Sequence, residues 1–322
     1  MKVEELKNKV LNGEQISRQE AIDLYNEDYE ELRSAAEEIR KYFCNDKFDV
    51  CTIISAKSGR CPENCKFCAQ SASSNVEGVK TYSLLDKETI VNDAVEKYNK
   101  GVPRYSLVSA GKSLSEEDID SVCDIVETIY EKAPGLKVCL SGGLISEEGF
   151  KKLKNAGVLR VHNNLETSEN FFSEICTSHS YDQKIQAIKD AQKAGMEVCS
   201  GGIIGLGEDI EDRVDMFISL RDLDVSSIPV NVLNPVKGTP LENNRILDQE
   251  EINRTIAICR FINPKASIRL AGGRTNMEEL GKSCLRSGAN ASITGDMLTT
   301  HGTSIEDDME MIRSMDYEIG AV

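Results

Sequence analysis

Three cysteines, Cys61, Cys65 and Cys68, stand with three and then two residues between them in the run Ser58-Gly59-Arg60-Cys61-Pro62-Glu63-Asn64-Cys65-Lys66-Phe67-Cys68. That spacing lets one tight loop turn three thiolates toward one face of an iron–sulfur cubane. A [4Fe–4S] cluster ordinarily takes four protein thiolates, so three leave one iron open to a small molecule. A structural zinc site wants four closed ligands, usually as two separated pairs. Only one local group exists here, and no histidine lies near it.

Further cysteines sit where they could serve a second centre. Cys139 and Cys199 occur in near-identical settings, Val138-Cys139-Leu140-Ser141-Gly142-Gly143 and Val198-Cys199-Ser200-Gly201-Gly202, and Cys51 falls inside an apolar run. If these three face the inside of a barrel, separate strands bring their thiols into one layer. Buried free cysteine is also an ordinary core residue, so composition leaves both readings open. The chain holds 11 cysteines, an odd number that does not suit a simple disulfide framework. In a reducing compartment, clustered cysteines point first to metal.

The elements that must position these residues alternate. Eight short apolar runs read as strands: 50–55, 105–109, 136–140, 159–163, 197–201, 227–232, 266–270 and 291–294. Most are separated by stretches with apolar residues at helical spacing, such as Ile119, Val122, Cys123, Val126, Ile129 and Tyr130. Three helix-to-strand junctions, at Gly157, Gly195 and Gly288, repeat one device in which a left-handed glycine ends the helix and the chain turns into a strand. Alternation with such short turns implies parallel strands and right-handed crossovers. The expected fold is a (β/α)8 TIM-type α/β barrel in one domain, with an N-terminal helical extension over 1–42, the barrel over 43–300 and a tail over 301–322. Ser17, three residues before Glu20, marks a capping-box helix start within that extension. Catalytic groups of such a barrel belong at the carboxyl ends of its strands. There the loops are rich in Gly, Asn, Ser and Thr, which let a ligand approach the backbone and supply directed hydrogen bonds.

Net charge is −16, from 54 acidic and 38 basic residues. An acidic surface repels phosphate backbones and anionic lipid, so neither nucleic acid nor membrane is an expected partner. The first 25 residues alternate charge without an apolar core segment, and no run approaches about 18 apolar residues; a cytoplasmic location is expected.

The CxxxCxxC loop after a first strand resembles the signature of the radical S-adenosylmethionine (SAM) superfamily. Residues 54–72, 162–168, 197–208, 231–241 and 268–274 together resemble the biotin synthase family within it, at intervals from about Cys51 to His301. The superfamily resemblance implies that the open iron chelates SAM, that one electron cleaves it to methionine and a 5′-deoxyadenosyl radical, and that Phe67 lies near the adenine. The family resemblance implies sulfur insertion at C6 and C9 of dethiobiotin, with two such radicals spent per turnover. It further implies an auxiliary iron–sulfur cluster inside the barrel as sulfur donor, a flavodoxin or ferredoxin as electron donor, and a homodimer.

The same resemblance assigns roles to single residues. Arg269, on the seventh strand, becomes a guanidinium ligand of the auxiliary cluster; an arginine inside a strand needs an anionic partner in any case. The second-strand cysteine of the better-known members is Ser106 here. The expectation is therefore a variant auxiliary cluster, [2Fe–2S] or of other nuclearity, on Cys51, Cys139 and Cys199 with Arg269 or with Cys44. Asn164 would contact both ligands, Glu166 would hold the ribose hydroxyls, Ile203 and Leu206 would pack on adenine, Asn231 would meet the ureido ring, and Thr299 and Thr300 would bind the valeryl carboxylate. His162 stands where an asparagine is usual. Cys123, Cys176, Cys259 and Cys284 read as structural. The competing readings are another barrel radical SAM enzyme, such as a hydrogenase cofactor maturase, a non-catalytic iron–sulfur redox sensor, and a zinc module.

Overall fold

Apolar runs bounded by glycine turns become strands, and the computed structural model closes them into a ring; it describes residues 2–59, 61–298 and 302–320. Helices α1 (Lys2–Leu11), α2 (Arg18–Leu24) and α3 (Tyr29–Cys44) come first. The strands are β1 (Lys47–Lys57), β2 (Arg104–Ser109), β3 (Lys137–Ser141), β4 (Arg160–His162), β5 (Glu197–Cys199), β6 (Gly202–Ile204), β7 (Ser227–Val232), β8 (Ser267–Leu270), β9 (Ala291–Thr294) and β10 (Glu318–Gly320). All pairings are parallel, and the order β1-β2-β3-β4-β5-β7-β8-β9 closes through β9 on β1. β6 continues the path of β5 and pairs with β7, so β5 and β6 form one interrupted strand of an eight-stranded barrel.

Around the ring run α4 (Lys87–Asn99), α5 (Glu116–Lys132), α6 (Glu147–Asn155), α7 (Glu169–Ile175), α8 (Tyr181–Lys193), α9 (Ile210–Asp222), α10 (Gln249–Ile262), α11 (Lys282–Leu285) and α12 (Ile305–Ser314). Serine or aspartate caps most of them: Asp86, Ser115, Ser146, Ser168, Ser180, Asp209 and Asp248 each accept from the amide three residues on. The capping box at Ser17 and Glu20 is present. So is the glycine device, with φ of 105° at Gly157, 77° at Gly195 and 104° at Gly288.

The eight expected strands are all found. The segment expected as a tail instead folds: α12 packs back on the barrel and β10 adds to β1 at its N-terminal end, Lys47 opposite Glu318. Arg274 and Asp308, both buried, hold α12 down with paired hydrogen bonds of 2.8 and 2.9 Å. The helical extension reaches Cys44, and α3 packs against α10 to close the outer layer there.

Candidate functional site

Alternate residues of every strand point inward, and above the barrel floor they leave a cavity of about 460 Å³ that opens at the carboxyl ends. Cys61, Cys65, Phe67 and Cys68 line its mouth; Cys51, Cys139, Cys199 and Arg269 line its depth. The two thiol groups expected from the sequence therefore share one chamber.

The cradle loop is built from its own backbone. Cys61 donates its amide to the Gln70 carbonyl (2.9 Å) and Cys68 to the Cys65 carbonyl (3.2 Å), turns that keep all three cysteines on the cavity wall. Gln70 Oε1 accepts from the Gly59 amide and from Ser58 Oγ, both at 3.0 Å. The cradle thiols are partly exposed, and no cysteine of the chain is in a disulfide. Cys176, expected to be structural, is buried in the core and also touches the cradle. Its sulfur lies 3.7 Å from Cys65 Sγ and close to His179, so it belongs to the cradle's surroundings. The Cys65 thiol donates to it, which pulls the Cys176 thiol down and pushes the Cys65 thiol up.

Deeper in, strand register sets the second group. Cys51 lies opposite Arg104, Cys139 stands between Ser106 and Arg160, and Cys199 stands between His162 and Ser227. Ser106 itself is buried and lines the cavity. Below the thiols, Asp49 is fully buried and receives Arg104 (3.3 Å), Arg160 (3.0 Å) and Arg269 (2.6 Å). Burial alone would raise its pKa; the guanidiniums of Arg269, Arg104 and Arg160 reverse that and hold it ionised below the usual carboxylate range. The other nearby carboxylate, Glu197, pairs with Arg160 from the rim. Three guanidiniums against one buried carboxylate leave the chamber's depth cationic, which suits an anionic occupant. Burial pushes the Cys51 and Cys139 thiols up. At Cys199 a hydrogen bond from His162, with the charges of His162, Arg269 and Arg160, overcomes burial and brings the thiol down to about 6.

This Asp49–Arg104–Arg160 floor was not foreseen. Neither was Asn163, which is buried at the cavity wall, accepts from Lys184 (3.1 Å) and has no protein acceptor for its Nδ2 among the described residues. A buried unpaired donor facing a cavity is a ligand contact in waiting. The orphan could not be seen in sequence, because Asn163 reads as a strand-end asparagine like its neighbour.

Glu166 lines the mouth with φ of 74°, a left-handed value seldom seen for glutamate and typical of residues held for function. Asn164 Nδ2 donates to its carboxylate (3.2 Å) and Asn164 Oδ1 accepts from the Gly201 amide (3.0 Å). The Glu166 carbonyl receives the Ile203 amide at 2.8 Å. A Cβ at Gly202 would come within 2.4 Å of that carbonyl oxygen, so only glycine fits there. Asn231 donates to the Gly202 carbonyl (3.0 Å) and accepts from the Gly272 amide (2.8 Å), bracing two strand-end turns while it lines the cavity.

Other expected residues fall elsewhere. Ile203 lines the cavity, whereas Leu206 is buried behind it and does not. Cys44 ends α3 outside the chamber, its sulfur 3.4 Å from Arg260 Nη1, and so leaves the auxiliary donor set. Thr299 and Thr300 lie outside the described residues. Among the described residues no helix is long and apolar enough to cross a membrane.

A closed parallel barrel with three cysteines on the loop after its first strand defines a radical SAM enzyme, and residues 56–220 match the radical SAM superfamily. Residues 229–318 match the biotin and thiamin synthesis associated domain. The chain is 55% identical to the biotin synthase of Brachyspira hyodysenteriae over 98% of its own length and 95% of that protein's. It is 51% identical to that of Clostridium botulinum strain Hall over 97% and 98%. The chain belongs to the biotin synthase family. Solved structures show the shared fold alone. Methylornithine synthase superposes with a TM-score of 0.83 at 22% identity, covering 98% of this chain and 97% of that one. The [FeFe]-hydrogenase maturase HydG gives 0.85 at 18%, covering 100% and 76%.

Proposed function

We propose that this chain inserts sulfur between C6 and C9 of dethiobiotin, closing the thiophane ring of biotin at the expense of S-adenosylmethionine. The observation that carries the reading is that two cysteine groups, Cys61–Cys65–Cys68 and Cys51–Cys139–Cys199, line one chamber. When bound, the cradle's [4Fe–4S] cluster supplies the electron that cleaves SAM, and an auxiliary cluster supplies the sulfur. The donor sets fit both groups: three free thiols at the mouth, and three buried thiols over a cationic floor.

The chain's own residues do the positioning. Glu166 accepts the two ribose hydroxyls of SAM, charge-assisted bonds that fix the nucleoside. Phe67 and Ile203 wall the adenine, Asn164 holds Glu166 in place, and Asn163 and Asn231 offer amide hydrogens to the ureido ring. Arg269 Nη1 is committed to the Asp49 and Ser292 carbonyls (3.0 and 2.9 Å) and Nη2 to the Asp49 carboxylate. Arg269 so committed would compensate charge, and Cys51, Cys139 and Cys199 would hold the auxiliary cluster, with Ser106 where the better-known members carry their second-strand cysteine. Thr299 and Thr300 for the valeryl carboxylate, a flavodoxin or ferredoxin reductant, a homodimeric assembly and a cytoplasmic location complete the reading.

Anaerobically reconstituted protein given dethiobiotin, SAM and dithionite or flavodoxin should yield biotin with 5′-deoxyadenosine. Deoxyadenosine without biotin would leave a radical SAM enzyme of other specificity, and neither product would reject the reading. Mössbauer spectra should show a second cluster beside the [4Fe–4S] centre; its absence after reconstitution overturns the auxiliary site.

A further inference from the structure

The segment after α7 is stapled to the cradle loop. Asn64 Oδ1 accepts from the amides of Thr177 (2.9 Å) and Ser178 (3.0 Å), and the Lys66 amide donates to the Ile175 carbonyl (2.9 Å). The staple sets Cys176 Sγ 3.7 Å from Cys65 Sγ, and puts His179 Nδ1 and Nε2 3.4 and 3.8 Å from Cys176 Sγ. One donor atom from each of the three residues lies within 4.8 Å of the others. The Glu63 carboxylate accepts from His179 Nδ1 and from Ser178 Oγ (2.7 Å).

The sulfur–sulfur separation matches a tetrahedral metal site, and Cys176 Sγ to His179 Nε2, at 3.8 Å, lies about 0.3 Å beyond the corresponding edge. With metal–sulfur bonds of about 2.3 Å and metal–nitrogen bonds of about 2.0–2.1 Å, a tetrahedron has sulfur–sulfur edges of about 3.8 Å and sulfur–nitrogen edges of about 3.5 Å. Glu63 taking the Nδ1 hydrogen leaves the Nε2 lone pair free to ligate, the carboxylate–histidine pairing that orients metal ligands. A core-filling cysteine would need neither the histidine nor its carboxylate.

We propose that the chain, before its cradle is filled, holds one thiophilic divalent cation, ferrous iron or zinc, on Cys65, Cys176 and His179, with Glu63 orienting the imidazole. Binding releases whatever thiol protons remain on the two cysteines and changes no oxidation state. Cys65 belongs to both donor sets, so this site and the filled cradle exclude each other. Ferrous iron held here stands beside the cradle it must enter; zinc held here denies the cradle one of its ligands. The inference goes beyond sulfur insertion and rests on that reading only through the shared Cys65.

The test uses full-length, iron-stripped protein carrying Cys61→Ser and Cys68→Ser, which disable the cradle and spare the proposed site. Cobalt(II) titration should show thiolate-to-cobalt charge transfer, of which one equivalent is lost on adding Cys176→Ser. Zinc X-ray absorption of the same protein should lose a nitrogen scatterer on His179→Gln. Glu63→Gln, which keeps all three ligands, should weaken zinc binding about 10- to 100-fold. Cobalt stoichiometry and spectrum unchanged by both Cys176→Ser and His179→Gln would overturn the proposal. In otherwise unaltered protein, Cys176→Ser slowing cradle assembly at limiting ferrous iron assigns the site to iron. Zinc delaying assembly only while Cys176 is present assigns it to zinc, and neither effect counts against the site. Biotin formation by the filled enzyme is measured separately, so failure here leaves the sulfur-insertion reading standing.

Discussion

Glu166 concentrates the site's chemistry in one side chain. Its left-handed backbone is tolerated because the Ile203 amide and the Gly201 carbonyl bind it on both sides, and the strain aims the carboxylate into the chamber. Glu166→Gln keeps the shape and removes the charge. A charge-assisted hydrogen bond contributes about 1.5–3 kcal/mol, so KM for SAM should rise about 10- to 100-fold while the fold is retained. Steady-state kinetics of deoxyadenosine release checks this, and an unchanged KM would remove Glu166 from the ribose contact. Cys176 shows the limit of reading residues singly. It looks like a core cysteine until its partner Cys65, 111 positions away, is brought to it. Asp49 and its arginines were hidden in the same way: each reads as one polar residue near a strand start, and Arg160 meets Asp49 across 111 positions.

At the scale of elements, β6 carries the heaviest constraint. Gly202 has Met216 Sδ 2.2 Å and the Glu166 carbonyl oxygen 2.4 Å from the place a Cβ would occupy. Gly202→Ala must push β6 away from the Glu166 carbonyl or displace Met216 of α9. The expected cost is about 1–3 kcal/mol, read by urea unfolding, with weaker SAM binding because Glu166 moves with the strand. A variant of native stability and native SAM affinity would show that the turn is looser than its contacts imply. Elements of this kind were legible in sequence where local chemistry decides them. The barrel strands announce themselves as apolar runs ended by glycine, and the capped helices by serine or aspartate ahead of an amphipathic stretch. β10 and the break between β5 and β6 were not legible. The first is three residues long and exists only by pairing with β1, and the second follows from Gly201 meeting the Pro229 carbonyl.

Over the whole molecule, the barrel works as an insulator with a charged floor. Arg104, Arg160 and Arg269 meet buried Asp49, with Glu197 pairing Arg160 and Arg104 from the rim, so three guanidiniums against two carboxylates leave the floor cationic without its clusters. Stripping iron and sulfide should therefore lower Tm by on the order of 5 °C, corresponding to about 2 kcal/mol, as anaerobic calorimetry would show. An apoprotein as stable as the loaded enzyme would mean the floor is balanced without an anionic occupant. The central claim is that one barrel holds two iron–sulfur sites, at its mouth and in its depth. An anomalous iron map of anaerobically grown crystals tests it most directly. Two separate iron peaks are predicted, one bounded by Cys61, Cys65 and Cys68, the other by Cys51, Cys139 and Cys199 above Arg269. Iron at the cradle alone, in fully reconstituted protein, would contradict it.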